Sequence, residues 1–236
     1  MKKYNIYELR WKAFITTVAL VSSVSLVYAA GSDGYQDVTF MYIWDYPGTA
    51  DDLPGVQLEY NHVMDAFYND GGWYRNPYTN TEVYYDQFVI RGDDSDVMLY
   101  AGHGNYHLLT TDGNVIIYNN AKTSTWEVDS ENIKNDNPWT EDVEFIILNS
   151  CETLRDSTWW DNAKSWGIRA LLGWKESVSD QTAYNTMKSW TTYALGQDQP
   201  AIQAWQWAAN DNGVGSKAQL YYNSTYYDKN IYQIRW

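Results

Sequence analysis

Val97-Met98-Leu99-Tyr100-Ala101-Gly102-His103-Gly104 and Phe145-Ile146-Ile147-Leu148-Asn149-Ser150-Cys151-Glu152-Thr153 are the two stretches that set the architecture of this chain. Each opens on a short, unbroken apolar run. A run of that length without polar alternation reads as a strand covered on both faces, and such strands belong to parallel sheets flanked by helices. Each run also ends on a residue that carries chemistry: His103 between two glycines, and Cys151, the single cysteine of the chain. In an open parallel sheet all strands point the same way, so both residues emerge on one edge, where such folds place their sites.

The neighbouring segments fit the same plan. Val38 to Trp44 is a further buried strand, and Val56, Tyr60, Val63 and Phe67 then repeat at helical spacing until Asn69-Asp70-Gly71-Gly72 ends the helix. Val83 to Ile90 is expected to be a strand. Tyr106 to Tyr118 reads as an inserted hairpin around Thr111-Asp112-Gly113-Asn114, with a polar connection after it. Val143 to Leu148 and Ala170 to Gly173 are strands, separated by a helix from Ser157 to Trp166 that Gly167 stops. Ser179 caps a helix with Ala183, Met187, Trp190 and Ala194 on one face, and Pro200 opens another with Ile202, Trp205 and Ala209 inward. The tail from Gln219 reads as edge strands. The expected fold is a three-layer α/β/α sandwich: a mostly parallel central sheet, an inserted hairpin and antiparallel edge strands.

Residues 1–29 are expected to be a signal peptide. Lys2, Lys3, Arg10 and Lys12 precede an uncharged stretch from Ala13 to Val27, and Val27-Tyr28-Ala29 offers a cleavage site after Ala29. The alternative is an uncleaved N-terminal anchor, the one route by which this chain would meet a membrane. Either way residues 30–236, a length one domain fills, are expected to be secreted or held in the cell envelope. Losing the leader removes four cations and one anion, which takes the formal net charge from −14 to −17. That charge repels a phosphate backbone and excludes a nucleic-acid partner. It attracts cationic substrates or calcium, or serves solubility alone. Aromatic residues make up 17% of the chain, as sugar-stacking platforms or, more commonly, as core filling.

The chemistry follows from the pair. An imidazole beside a thiol lowers the thiol's pKa and yields the thiolate nucleophile, and the backbone N–H groups of Gly104 and Cys151 stand where a developing oxyanion needs donors. The pattern of Val97 to Gly104 and Phe145 to Thr153 resembles the clan of cysteine peptidases that includes caspases, legumain, clostripain, gingipains, separase and the CHAT domains. The second block is similar to the strand-small-Cys-Glu-Thr/Ser stretch of CHAT domains and legumain. Gly173-Trp174-Lys175-Glu176-Ser177-Val178-Ser179-Asp180 looks like the segment that borders their specificity pocket. In caspases too the histidine lies about fifty residues before the cysteine. The resemblance implies a caspase-like domain and a cysteine endopeptidase acting on a peptide or protein substrate through His103 and Cys151, with Ser150, Glu152, Trp174, Lys175, Glu176 and Asp180 as substrate-binding candidates. Asn149-Ser150-Cys151 departs from the Gln-Ala-Cys of caspases, so aspartate preference does not carry over. Glu176 or Asp180 is expected to receive a basic P1 side chain, and Lys175 stands for the opposite preference. The group that orients His103 is not legible.

Two other readings compete: a catalytically silent binding module of the cell envelope that grips peptides or glycans through aromatic residues, and a dimer linked through Cys151. No cofactor is expected. Calcium is the one candidate metal, through Asp93, Asp94 and Asp96 or Asp51 and Asp52, although their spacing matches no EF-hand. His62 reads as a helix-surface residue and His107 as a residue near the site. Arg91-Gly92-Asp93 reads as a chance adhesion tripeptide, and Asn223-Ser224-Thr225 as a surface glycosylation acceptor.

Overall fold

The computed structural model describes residues 36–47, 52–108, 112–140 and 142–234. The leader read over residues 1–29, Asp51, and Thr111 of the expected hairpin turn lie outside them.

A six-stranded sheet runs in the order β2-β1-β3-β7-β8-β9. Its strands are β1 (Asp37–Tyr42), β2 (Tyr74–Thr79), β3 (Val97–Ala101), β7 (Phe145–Asn149), β8 (Ala170–Trp174) and β9 (Ala218–Tyr222). All pairs are parallel except β8 with the edge strand β9. Alternate residues of the central strands enter opposite cores, which is why these strands read as unbroken apolar runs. Val97, Leu99, Phe145 and Ile147 pack on one face with helices α1 (Pro54–Asp70), α5 (Asp180–Ala194), α6 (Ala201–Asp211) and the short α7 (Ile231–Ile234). Met98, Tyr100, Ile146 and Leu148 pack on the other with α2 (Tyr85–Arg91), α3 (Ser130–Asp136) and α4 (Thr158–Trp166). The three layers expected from the sequence are present.

The aromatic residues largely serve these cores. Trp139, Trp159, Trp174, Trp190 and Trp205 are among the largest fully buried side chains, and an aromatic of that size buries roughly 150–250 Å². Local signals hold where they were strongest. Gly71 and Gly72 have positive φ after α1, Gly167 adopts the left-handed conformation that ends α4, and the Ser179 side chain caps α5 through the Thr182 N–H.

Three expectations are corrected. The segment from Val83 to Ile90 is not a strand: Val83 is buried in a bend, and Tyr85–Arg91 is helix α2, turned so that Phe88 and Val89 reach the core. The strand in this region is β2, whose polar residues and Pro77 fit an edge position where a missing N–H costs little. The polar connection after Tyr118 holds β6 (Thr125–Val128), which joins β4 (Gly104–His107) and β5 (Asp112–Tyr118) in a separate antiparallel sheet. Beyond β9 the tail coils into α7 rather than forming further strands.

Candidate active site

The β3–β7 register sets the site. Ala101, the last residue of β3, stands beside Asn149, the last residue of β7. His103 and Cys151 each lie two residues beyond the ends of these neighbouring strands, so both loops leave the same edge of the sheet. Gly104 confirms how tightly the two loops meet: a Cβ built there would lie 2.5 Å from the Cys151 carbonyl oxygen, 2.5 Å from Thr153 Oγ1 and 2.8 Å from Ser150 Cβ. Only glycine permits that approach. Both His103 and Cys151 are half-buried.

The His103 loop is clamped by two tyrosines that the sequence did not reveal. The Tyr46 hydroxyl accepts the His103 N–H at 2.8 Å and donates to the Ile116 carbonyl at 3.1 Å, and its ring centroid lies 4.6 Å from that of His103. The Tyr100 hydroxyl donates to the paired carbonyls of His103, at 3.0 Å, and Ile116, at 2.8 Å. Burial, above all, pushes both tyrosines well above their ordinary pKa, so both remain proton donors. Gly102 is required between them, because a Cβ there would lie 2.6 Å from each hydroxyl oxygen.

The Cys151 turn is held from both faces. On one, the Ser150 and Thr153 hydroxyls pair at 2.6 Å and Thr153 Oγ1 donates to the Asn114 carbonyl at 3.1 Å. On the other, Asn149 donates from Nδ2 to Glu59 Oε2 at 2.6 Å and accepts from Trp174 Nε1 at 2.5 Å. Glu152 takes a positive φ of 59°. The sulfur faces the β8–α5 loop, donating to the Val178 carbonyl at 3.3 Å and accepting the Val178 N–H at 3.5 Å. Burial raises the thiol pKa; Val178 and Lys217 oppose that rise, while Glu152 and Asp180 add to it. The expected lowering is therefore absent in this arrangement, because desolvation outweighs the groups that favour the thiolate.

The substrate-binding candidates separate into two sets. Glu152, Lys175 and Glu176 line a groove of about 470 Å³ with Arg155, Ser177 and Lys217, beside the Cys151 turn. Ser150, Trp174 and Asp180 are unsuited to touch a substrate. Ser150 is 2% exposed and bonded to Thr153, Trp174 is fully buried against Trp205 with its indole N–H on Asn149, and Asp180 turns inward to accept the Gly55 N–H at 2.6 Å. Asp180 thereby serves the start of α1, which has no side-chain cap of its own.

The remaining candidates are mostly structural. His107 is exposed and pairs with Glu127, and His62 bonds Thr191 Oγ1 at 3.1 Å. Asp93 is 4% exposed and accepts backbone N–H groups of Thr140 and Asp142, so it displays no adhesion tripeptide. Asp96 and Asp37 exchange backbone-to-carboxylate hydrogen bonds, Asp94 pairs with Arg91, and Asp52 accepts the Tyr46 N–H. Asn223 is exposed.

The fold recurs among solved structures. The Drosophila initiator caspase Dronc aligns with a TM-score of 0.54 at 13% identity, over 86% of this chain and 85% of that one. The Arg-specific cysteine proteinase gingipain R aligns with a TM-score of 0.52 at 9% identity, over 83% of this chain and 48% of that one. The complex of Porphyromonas gingivalis RgpB pro- and mature domains gives 0.52 at 10% identity, over 83% and 49%. This chain thus spans about half the length of the gingipain chains. At these identities the likeness is one of fold, and the fold is caspase-like. No curated protein matches the sequence. Residues 40–235, which hold β3, β7 and both loops, match the domain of unknown function DUF6345, and the chain belongs to that family.

Proposed function

We propose that this protein is an exported cysteine endopeptidase in which Cys151 is the nucleophile and His103 the general base. The observation that carries the reading is the shared register of β3 and β7, with His103 and Cys151 at equal offsets beyond Ala101 and Asn149 and with Gly104 against the Cys151 carbonyl. Because burial raises the thiol pKa, the resting nucleophile is a thiol rather than a preformed thiolate. His103 takes the thiol proton as the sulfur attacks the scissile carbonyl, then gives it to the leaving amine. The resulting thioester is hydrolysed by water that His103 deprotonates. No cofactor enters this sequence. The leader read over residues 1–29 assigns the protein to the extracytoplasmic side.

The groove takes the substrate side chain next to the scissile bond, and its charges favour an acidic one. Glu152 is occupied by Arg155 at 3.1 Å and Ser177 at 2.7 Å, and Asp180 is turned away, so only Glu176, on the exposed rim, is left to receive a cation. Lys175 and Lys217 are half-buried neighbours, the Lys175 N–H donating to the Lys217 carbonyl at 3.0 Å. Neither ammonium has a carboxylate at ion-pair distance among the described residues. Like charges on these facing positions, one residue beyond the paired ends of β8 and β9, repel, and a substrate carboxylate relieves them.

A fluorogenic peptide library varied at P1 tests both parts. Hydrolysis is expected to depend on Cys151 and His103 and to favour Asp or Glu over Arg or Lys by about tenfold in kcat/KM, the scale of one or two partly exposed ion pairs. Hydrolysis unaffected by Cys151→Ala would overturn the peptidase reading. A Cys151-dependent preference for basic residues would overturn the reading of the groove alone. The second reading, a silent binding module, draws on the double hold of Val178 on the sulfur, and it is favoured if no peptide is cleaved while peptide binding survives Cys151→Ala.

A further inference from the structure

Beneath the sheet edge that carries the Cys151 turn lies a buried acid that the peptidase mechanism does not use. Glu59 sits on the inner face of α1 and is 1% exposed. Its Oε2 accepts the Asn149 amide, whose other end accepts the Trp174 indole N–H. Tyr42 of β1, two strands away from β7, faces the same carboxyl group, and Asp180 of α5 approaches it from the next helix. Glu59 Oε1, the Tyr42 hydroxyl and Asp180 Oδ1 are all buried without a hydrogen bond of ordinary geometry, so this is a polar cluster held at a cost in stability. The cluster touches both supports of the sulfur. Asn149 begins the turn two residues before Cys151, and Asp180 anchors the loop whose Val178 grips the sulfur by N–H and carbonyl.

We propose that Glu59 is a positioning residue for Cys151, holding the Asn149 amide on one side and tolerating the Asp180 carboxylate on the other so that the cysteine turn and the Val178 loop stay closed on the sulfur. This rests on Cys151 being the nucleophile. The arrangement favours a neutral Glu59: burial disfavours its charge first, and the Asp180 carboxylate, held on Gly55 one turn before Glu59 on α1, adds a smaller repulsion. Burial supplies that condition: it raises the Glu59 pKa to about 8, with Asp180 adding to the rise and Asn149 and Tyr42 opposing it. When Glu59 ionises, Asp180 is driven off and takes the Val178 loop with it. The sulfur then loses the Val178 N–H that favours its thiolate, and its reactivity falls.

The test is the second-order rate of Cys151 alkylation by iodoacetamide on the full chain from pH 6 to 9.5, comparing wild type with Glu59→Gln. Glutamine keeps the oxygen that accepts the Asn149 N–H and cannot ionise. The ratio of wild-type to Glu59→Gln rate is expected near one below pH 7 and to fall about threefold above pH 8, the effect of half a pKa unit on the sulfur. A ratio that stays flat or rises across this range overturns the proposal. If Glu59→Gln does not fold, the wild-type rate is divided by that of Asp180→Asn instead: with no carboxylate to repel, this ratio too is expected to fall about threefold above pH 8, and a flat or rising ratio overturns the proposal equally. Alkylation needs no turnover, so a falling ratio in a protein that cleaves no peptide sinks the peptidase reading and leaves the control by Glu59 standing.

Discussion

The Tyr46 ring lies 4.6 Å from the His103 ring, and the Tyr46 hydroxyl accepts the His103 backbone N–H at 2.8 Å. One residue from the loop after β1 thus fixes both the main chain and the imidazole of the proposed base. Tyr46→Phe keeps the ring and leaves the His103 N–H and one bond to Ile116 unmet. It is expected to cost about 1–3 kcal/mol in a denaturant titration. Tyr46→Leu also removes the ring from His103, and is expected to lower kcat/KM further than Phe, with a larger loss of stability from the vacated volume.

Gly104→Ala places a methyl group 2.5 Å from the Cys151 carbonyl oxygen, a backbone atom that cannot swing aside as a flexible side chain would. The two loops must part. The expected result is a folded protein destabilised by about 1–3 kcal/mol, with Cys151-dependent hydrolysis reduced at least about tenfold by misplacement of the reacting groups. Parallel melting and kinetic measurements separate the two effects.

Trp174 and Trp205 are both fully buried, with ring centroids 5.0 Å apart, but only the Trp174 indole N–H has a partner, Asn149. Changing either to Phe removes similar volume. Trp174→Phe also orphans the Asn149 carbonyl oxygen, and Trp205→Phe discards an unsatisfied donor. Trp174→Phe is therefore expected to be the more destabilising by about 1–3 kcal/mol, read from the midpoints and slopes of urea curves.

Stability should also depend on pH through Glu59. Its folded pKa of about 8 lies above the ordinary 4.5, so between those values the folded chain holds a proton that the unfolded chain has released. Stability from this group is present below about pH 4.5, declines as pH rises toward 8, and changes little beyond it. The difference between wild type and Glu59→Gln, followed by denaturant midpoint from pH 5 to 9, is expected to grow in favour of Gln across that window. A difference that does not change with pH would contradict the assignment.

What the sequence disclosed and what it hid divide along physical lines. β3 and β7 are legible because burial on both faces leaves a short apolar run that ends at glycine or small polar residues, and strand direction then carries His103 and Cys151 to one edge. Helix α2 is hidden in the sequence because Val83, Tyr84, Tyr85, Phe88, Val89 and Ile90 have strand propensity, which tertiary packing overrides. Trp174 and Ser150 were placed in the right segment but assigned the wrong surroundings: sequence position brings a residue to the sheet edge, whereas the alternation of side chains decides whether it faces a groove or a core. Tyr46 and Glu59 carry no local signal. They reach the site from a loop and a helix far from it in the chain, and only the packed structure brings them there.

If Cys151 becomes acylated while His103 takes its proton, the acyl-enzyme can be trapped: the protein is mixed with excess acidic peptide ester, quenched in acid within the first turnover and weighed intact by mass spectrometry. An added acyl group on Cys151 is expected, absent in Cys151→Ala and formed at least about a hundredfold more slowly in His103→Ala. An adduct that persists in Cys151→Ala, or forms at the wild-type rate in His103→Ala, would rule out this chemistry.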